Sequence, residues 1–106
     1  QDVFVNVVGG IKVSETASDL VVMLAIVSSL RDKVIPSKWI AFGEVGLTGE
    51  VRPVYNSMER LSEAQKQGFE VAIIPKANAP KKPIKGMKIV TVGYLYQAIQ
   101  YLLENS

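Results

Sequence analysis

The feature that most constrains the fold is an uninterrupted apolar run from Leu20 to Val27. Thr16 and Asp19 predict a helix start just before it, because a hydroxyl can accept a hydrogen bond from a free backbone N–H and a carboxylate suits the positive end of a helix. Apolar residues then surround the predicted helix on nearly every side. Such a helix is buried on most sides and needs other elements packed around it.

The rest of the chain alternates predicted strands and helices. Strands are predicted over 3–8, 39–42, 71–74 and 88–92, with a glycine-rich hairpin over 43–53. Helices are predicted from Asn56 or Ser57 to Gln67, stopped by Gly68, and over 94–103. The first of these helices is expected to have a thin inner face formed by Met58, Leu61, Ala64 and Gln65. With no repeat or flexible linker, residues 1–106 are expected to form one unit of the α/β (α+β) class. A strand that starts almost at the first residue predicts a fragment of a longer protein.

Composition excludes several kinds of site. The chain has no histidine and no cysteine, which removes the commonest near-neutral general base, any thiol nucleophile and zinc sites built on these residues. Disulfides are impossible, as suits a reducing compartment. The longest apolar run is far shorter than the ~20 residues that span a bilayer, and no signal peptide is recognisable. A mean hydropathy of +0.20 is high for so small a chain, and predicts apolar surface hidden against a partner or against sequence missing here.

Two segments could carry hydrolytic chemistry. A nucleophile and an oxyanion site would fit the start of the first long helix, where Ser14, Thr16 and Ser18 flank Ala17. The segment 56–66 contains Arg60 and Lys66. A Ser–Lys enzyme needs a neutral lysine to take the serine proton, and an arginine cannot serve because a guanidinium keeps its proton at any working pH.

Three segments carry a resemblance to a known family: Val5–Gly10, Phe42–Val54 and Pro75–Lys82. In their order and spacing, the chain from Asp2 to about Leu103 resembles the C-terminal, Lon-protease-like domain of the bacterial RadA (Sms) DNA-repair proteins. The resemblance implies the ribosomal-protein-S5 domain-2-like fold of Lon protease domains. It also implies truncation at the N-terminal side, because the family's domain has further sequence before Asp2.

Compared with active Lon proteases, the chain keeps shared residues but lacks the catalytic pair. The shared residues are Gly43, Glu44, Gly49 and Pro53. Ala17 falls on the family's serine nucleophile and Arg60 on its lysine, so the resemblance implies a degenerate dyad and no enzymatic activity in this chain. Asp19, Tyr55 and Asn56 stand where active enzymes have glycine, and adopt glycine's range of φ less freely.

One alternative keeps a catalytic serine. A one-residue shift would place Ser18 at the nucleophile position, with Lys12 or Lys66 as its base, and would leave residual Ser–Lys peptidase activity. Helix capping is the ordinary explanation for Ser14, Thr16 and Ser18.

The resemblance also implies partners and a cellular role. It implies a homo-oligomeric ring, a hexamer, that scaffolds RecA-like ATPase domains acting on recombination intermediates in branch migration, with DNA and RecA recombinase as partners. ATP with magnesium, and zinc, would be bound by domains of a longer parent protein, and no cofactor or metal by this chain. The expected location is the bacterial cytoplasm, with no membrane contact.

A lysine-rich segment is a candidate for DNA contact. Residues 76–88, the lysine loop, contain five lysines and no acidic residue: Lys76, Lys81, Lys82, Lys85 and Lys88. They could contact phosphates without sequence specificity, or form an ordinary solvated loop. The loop contains no aromatic residue to stack a base.

Three tyrosines in the last predicted helix suggest either an interface or packing at the edge of the core: Tyr94, Tyr96 and Tyr101. Glycines 43, 46 and 49 lack the Lys-Ser/Thr ending of a P-loop.

Overall fold

The computed structural model of the chain describes residues 16–106, so the strand predicted over 3–8 lies outside the described residues. The described part is mixed α/β, as predicted. Its helices are α1 (Asp19–Leu30), α2 (Ser57–Lys66) and α3 (Leu95–Asn105). Its strands are β1 (Trp39–Ala41), β2 (Glu44–Val45), β3 (Val51–Arg52), β4 (Val71–Pro75) and β5 (Lys88–Val92), and short 3-10 turns cover Thr16–Ser18 and Lys76–Asn78. Within 16–106, no helix is long and apolar enough to cross a membrane.

A parallel sheet of three strands organises this part, in the order β1-β4-β5. Ala72 of β4 lies between Ile40 and Ile89 of its neighbours. Because all three strands run the same way, the residues that follow them meet at one side, here called the carboxyl edge. The hairpin of β2 and β3 is fixed at this edge, where the Val51 N–H donates to the Gly93 carbonyl oxygen at 2.9 Å.

Both faces of the sheet are covered. On one face α1 and α3 pack in a cluster that contains Leu20, Leu24, Ile73, Ala98 and Leu102. On the other face α2 and the end of the lysine loop pack in a second cluster, formed by Phe42, Leu61, Ala64, Ala72, Ile74 and Met87. Alternate residues of a strand point to opposite faces, so neighbouring apolar residues in β4 serve different clusters. Burial on both sides explains why the strands read as apolar runs.

The start of α1 differs from the sequence prediction. The 3-10 turn at Thr16–Ser18 precedes it, and Ser18 at the N-cap makes no side-chain capping bond. The capping prediction is therefore wrong for Ser18, because the preceding turn holds its backbone in a helical conformation, with φ of −88° and ψ of −3°. The Asp19 carboxylate instead accepts a hydrogen bond from the Val45 N–H at 3.2 Å, which ties α1 to the hairpin.

The buried face of α2 is narrower than predicted. Leu61 and Ala64 are buried, but Met58 is 54% exposed, so the prediction that it lies on the inner face is wrong. Gln65, also predicted to lie there, is exposed and donates through Nε2 to the Lys85 carbonyl oxygen at 2.8 Å. With only two buried side chains, a helix of ten residues fixes just one stripe of the sheet's second face.

Candidate functional site

The residue at the predicted nucleophile position is held by backbone hydrogen bonds at the carboxyl edge. The Ala17 carbonyl oxygen accepts from the Gly43 N–H at 2.8 Å, and the Gly43 carbonyl oxygen accepts from the Leu20 N–H at 3.0 Å. A Cβ on Gly43 would lie 2.9 Å from Val51 Cγ1, so this close approach requires glycine. The turn before α1 is thus locked to the end of β1.

Arg60, at the predicted lysine position, reaches the same segment from α2. Its guanidinium carbon lies 6.0 Å from the centre of the Phe42 ring, and its Nε donates to the Tyr55 carbonyl oxygen at 3.3 Å. Ala17 and Arg60, 43 positions apart in the sequence, therefore both contact the Phe42–Gly43 segment. A methyl group and a permanently charged guanidinium offer neither a nucleophile nor a proton acceptor.

The alternative nucleophile, Ser18, is 1% exposed. A nucleophile has to meet its substrate, so this burial argues against a role for Ser18 in peptide hydrolysis. Lys66, one of its two proposed bases, is exposed in the last turn of α2, whereas Lys12 lies outside the described residues. Ser14, another candidate capping residue, also lies outside the described residues.

Asn56 is the residue that the resemblance aligns with a glycine of active Lon proteases. Its backbone is left-handed, with φ of 61° and ψ of 33°, immediately before α2. Asparagine is one of the few residues other than glycine that enter this region readily. Asn56 therefore adopts a left-handed backbone here, although its Cβ makes that region less accessible to it than to glycine.

The lysine loop is anchored at several points. The Asn78 side chain bonds Val54 twice, accepting from its N–H at 2.8 Å and donating to its carbonyl oxygen at 3.2 Å. Gln65 holds the Lys85 carbonyl, Met87 is buried, and the Lys88 N–H donates to the Glu70 carbonyl oxygen at 2.8 Å. The loop therefore follows a fixed path from the carboxyl edge along α2 to the opposite edge of the sheet.

The lysine side chains themselves point to solvent. All five are exposed, and none forms an ion pair with an acidic residue among residues 16–106. Residues 71–103 contain these five lysines and no Asp or Glu, so one part of the chain holds an excess of positive charge. Lys88 differs from the others, because its Nζ lies 5.5 Å from the centre of the Tyr101 ring.

The three tyrosines of the last helix region separate into two roles. Tyr101 packs on Trp39 with ring centres 5.2 Å apart, as expected for the edge of the core. Tyr94 and Tyr96 are 49% and 64% exposed and stack on each other, with centres 5.9 Å and planes 21° apart. The sequence could not decide between an interface and core-edge packing for these tyrosines, because the spacing of residues along a helix does not show which of them the sheet covers.

The hairpin contains a compact charge cluster. Glu50 accepts hydrogen bonds from the Thr48 hydroxyl and from Arg52, which also pairs with it at 2.8 Å. The bonds from Thr48 and Arg52 lower the pKa of Glu50 to about 2. Glu50 is therefore ionised at neutral pH, and its charge is matched by Arg52.

The described residues form no acidic metal centre, and a cavity among them is small. Residues 16–106 contain no group of three or more Asp or Glu side chains placed to hold a metal ion. An apolar cavity of about 20 Å³ lies beneath Trp39, between α1 and the sheet. That is room for about one water molecule and far too little for a peptide or a nucleotide.

Comparison with known proteins identifies the family. Residues 1–78 match the family model described as subunit ChlI of Mg-chelatase, and the chain belongs to this family. Its similar relatives include the DNA repair protein RadA of Salmonella typhimurium, 59% identical over 93% of this chain. RadA of Pseudomonas aeruginosa is 56% identical over 98% of this chain, and RadA of Mycobacterium tuberculosis 35% over 97%. The chain spans only 22%, 23% and 21% of these relatives, respectively.

Proposed function

We propose that this chain is a Lon-protease-like domain without peptidase activity, which assembles copies of a RadA-like DNA-repair protein into a hexameric ring. The observation that carries the proposal is the 59% identity to a RadA protein over nearly the whole chain. The contacts of Ala17 and Arg60 support the absence of peptidase activity, because neither side chain can carry out a step of the hydrolysis.

The parent protein proposed here is an ATPase of the bacterial cytoplasm that processes recombination intermediates by branch migration, together with RecA recombinase. ATP, magnesium and zinc would bind to its other domains. The domain formed by this chain would contribute the contacts between neighbouring copies in the ring.

Exposed apolar side chains at opposite ends of the molecule support assembly. α1 starts at the carboxyl edge and runs for 12 residues, about 18 Å at ~1.5 Å per residue, to the opposite edge of the sheet. Leu30 at its end and Val34 beyond it are each 80% exposed, while Leu47 at the hairpin tip is fully exposed. A ring needs two different complementary surfaces on each copy, and apolar groups at opposite ends fit that requirement.

Sedimentation of the parent protein tests this proposal. Deleting the domain should reduce the oligomer, and so should the double substitution Leu30→Ser with Val34→Ser. Because both side chains are exposed, the double variant should change the free energy of unfolding by less than about 0.5 kcal/mol per site, which a thermal melt checks. An oligomer unchanged by the deletion would contradict the proposal.

A second function, contact with DNA, is favoured by the anchored lysine loop. The lysines have no acidic partners among the described residues, and their backbone is already held, so less conformational freedom is lost on binding phosphates than on a free loop. Replacing Lys81, Lys82 and Lys85 by glutamine should weaken DNA binding. Each lost phosphate contact should reduce the slope of log affinity against log salt by about 0.7–0.9. Unchanged affinity would mean that the loop is only solvated.

Residual peptidase activity remains the alternative function. It would require Ser18 to become accessible. A serine-reactive probe should leave the chain unlabelled, whereas labelling abolished by Ser18→Ala would establish the activity and overturn the proposal of an inactive domain.

A further inference from the structure

An exposed aromatic pair stands at the carboxyl edge of the sheet. Tyr94 and Tyr96 stack with ring centres 5.9 Å apart, and both keep about half or more of their surface in solvent. Tyrosine rings contribute most when they are covered, so a stacked pair left exposed is typical of a binding surface. The stack already presents ring faces to which another flat group could be added.

The pair lies next to the first residue of the lysine loop. The register of the sheet places Pro75 opposite Val92, so Lys76 and the Gly93–Tyr94 segment leave the sheet side by side. This backbone is firmly held. Gln97 Oε1 accepts from the N–H groups of Gly93 and Tyr94 at 2.7 and 3.0 Å. The backbone that carries Tyr94 is therefore held beside the start of the lysine loop before any ligand arrives, which lowers the cost of binding.

The local charge favours a polyanion. Glu50 pairs with Tyr94 in an isolated antiparallel β-bridge, and its carboxylate charge is balanced by the Arg52 guanidinium, 2.8 Å away. Lys76 is not paired with an acidic residue in the described part, and the remaining loop lysines continue away from the edge along α2. Aromatic faces combined with a basic path match single-stranded nucleic acid, whose bases stack while its phosphates pair with lysines.

We propose that Tyr94 and Tyr96 form a base-stacking platform for single-stranded DNA, with Lys76 and the lysine loop binding the phosphates next to it. This inference rests on the DNA contact proposed above and specifies its form. A base extends the tyrosine stack, and the backbone of the strand continues along the loop. Any unpaired base can stack on the tyrosines, whichever base it is. The platform therefore discriminates single strand from duplex without reading sequence.

Fluorescence anisotropy with three labelled probes tests the platform on the 106-residue chain at low ionic strength. The probes are an oligothymidylate of about 20 nucleotides, an abasic strand of the same length and a duplex. The double variant Tyr94→Leu with Tyr96→Leu should bind the oligothymidylate about tenfold more weakly, the loss expected for stacking worth ~1.4 kcal/mol. Its affinity for the abasic strand should stay within about twofold, since phosphate contacts are kept.

Two matched variants define the cause. Tyr94→Phe with Tyr96→Phe keeps both rings and should retain the preference for the oligothymidylate over the abasic strand. Replacing Lys81, Lys82 and Lys85 by glutamine should weaken both strands alike. A thermal melt of each variant checks folding; the Gln97 bonds involve only the backbone of Gly93 and Tyr94, so they survive the tyrosine substitutions.

The outcomes separate this inference from the function on which it rests. Equal affinity of the unmodified chain for the intact and abasic strands would overturn the platform and leave the lysine contact in place. No binding of any probe would overturn both. If the leucine variant changes sedimentation but not the single-strand preference, the tyrosine pair is a protein interface and the platform is overturned.

Discussion

At the residue scale, Asn56 shows that a residue other than glycine can start a helix from a left-handed backbone. Its left-handed φ of 61° starts α2, and its side chain makes no capping bond. Asn56 therefore supports the start of α2 through its tolerance of a left-handed backbone and not through a side-chain hydrogen bond. A residue with an ordinary Cβ pays roughly 1–2 kcal/mol in this region.

Asn56→Ala should accordingly lower the free energy of unfolding by about 1 kcal/mol, whereas Asn56→Gly should be within a few tenths of the unmodified chain. Urea denaturation of the three proteins measures both differences. Equal effects of alanine and glycine would show that the side chain of Asn56, and not its φ, supports the helix.

Glu50 gives a pH dependence with a defined sign. Its pKa in the folded chain is about 2, below the ordinary value of 4.5, so its interactions stabilise the fold above pH 4.5 and this contribution is lost as the pH falls from 4.5 towards 2. The difference in stability between the unmodified chain and Glu50→Gln should be constant from neutral pH to about 5 and shrink below it. Thermal melts across this range provide the measurement; a difference that grows on acidification would contradict the assignment.

At the element scale, Asn78 ties the first part of the lysine loop to the segment before α2. Its amide pairs with both backbone groups of Val54, as a neighbouring strand would. Asn78→Ala removes two hydrogen bonds and leaves partly buried backbone groups without them, which costs about 1–3 kcal/mol.

The Val54 amide proton should exchange faster in Asn78→Ala, and hydrogen-exchange NMR detects this. Asn105→Ala is a matched control, because Asn105 also donates from its side chain to a backbone carbonyl, that of Tyr101, but at an exposed site. Faster exchange in the control as well would mean that the effect is general and not due to the anchor.

The elements themselves followed from sequence patterns, but their contacts did not. β4, β5, α2 and the Gly68 stop lie where apolar spacing and glycine predict them. The prediction that Met58 lies on the buried face was wrong, because helical spacing does not show how wide the facing layer is. The convergence of Ala17 and Arg60 on the Phe42–Gly43 segment depends on tertiary packing between distant segments. The family resemblance singled out Ala17 and Arg60, but only the structure shows that both contact this segment.

At the scale of the whole molecule, the sheet separates two apolar clusters. Ile73 belongs to the cluster with α1 and α3, and Ile74 to the cluster with α2, although they are neighbours in β4. The clusters share the sheet's backbone but not their side-chain partners. Changes on opposite faces should therefore act independently.

Ile73→Val and Ile74→Val should each cost about 0.5–1.5 kcal/mol, and the double variant should equal their sum within about 0.5 kcal/mol. Urea denaturation of the four proteins gives the coupling directly. A coupling larger than this between adjacent residues would mean that a change in one cluster is transmitted through the strand to the other.

The anchoring of the lysine loop also has a consequence for proteolysis. Lys81 and Lys82 lie in an exposed stretch between the Asn78 anchor and the half-buried Ile84. Trypsin cuts most readily in exposed stretches of loop between anchored residues. Because Pro83 protects the bond after Lys82, the first nick should follow Lys81. Anchors on both sides would hold the two fragments together, so a nicked chain should keep its fold while the basic path along α2 is interrupted.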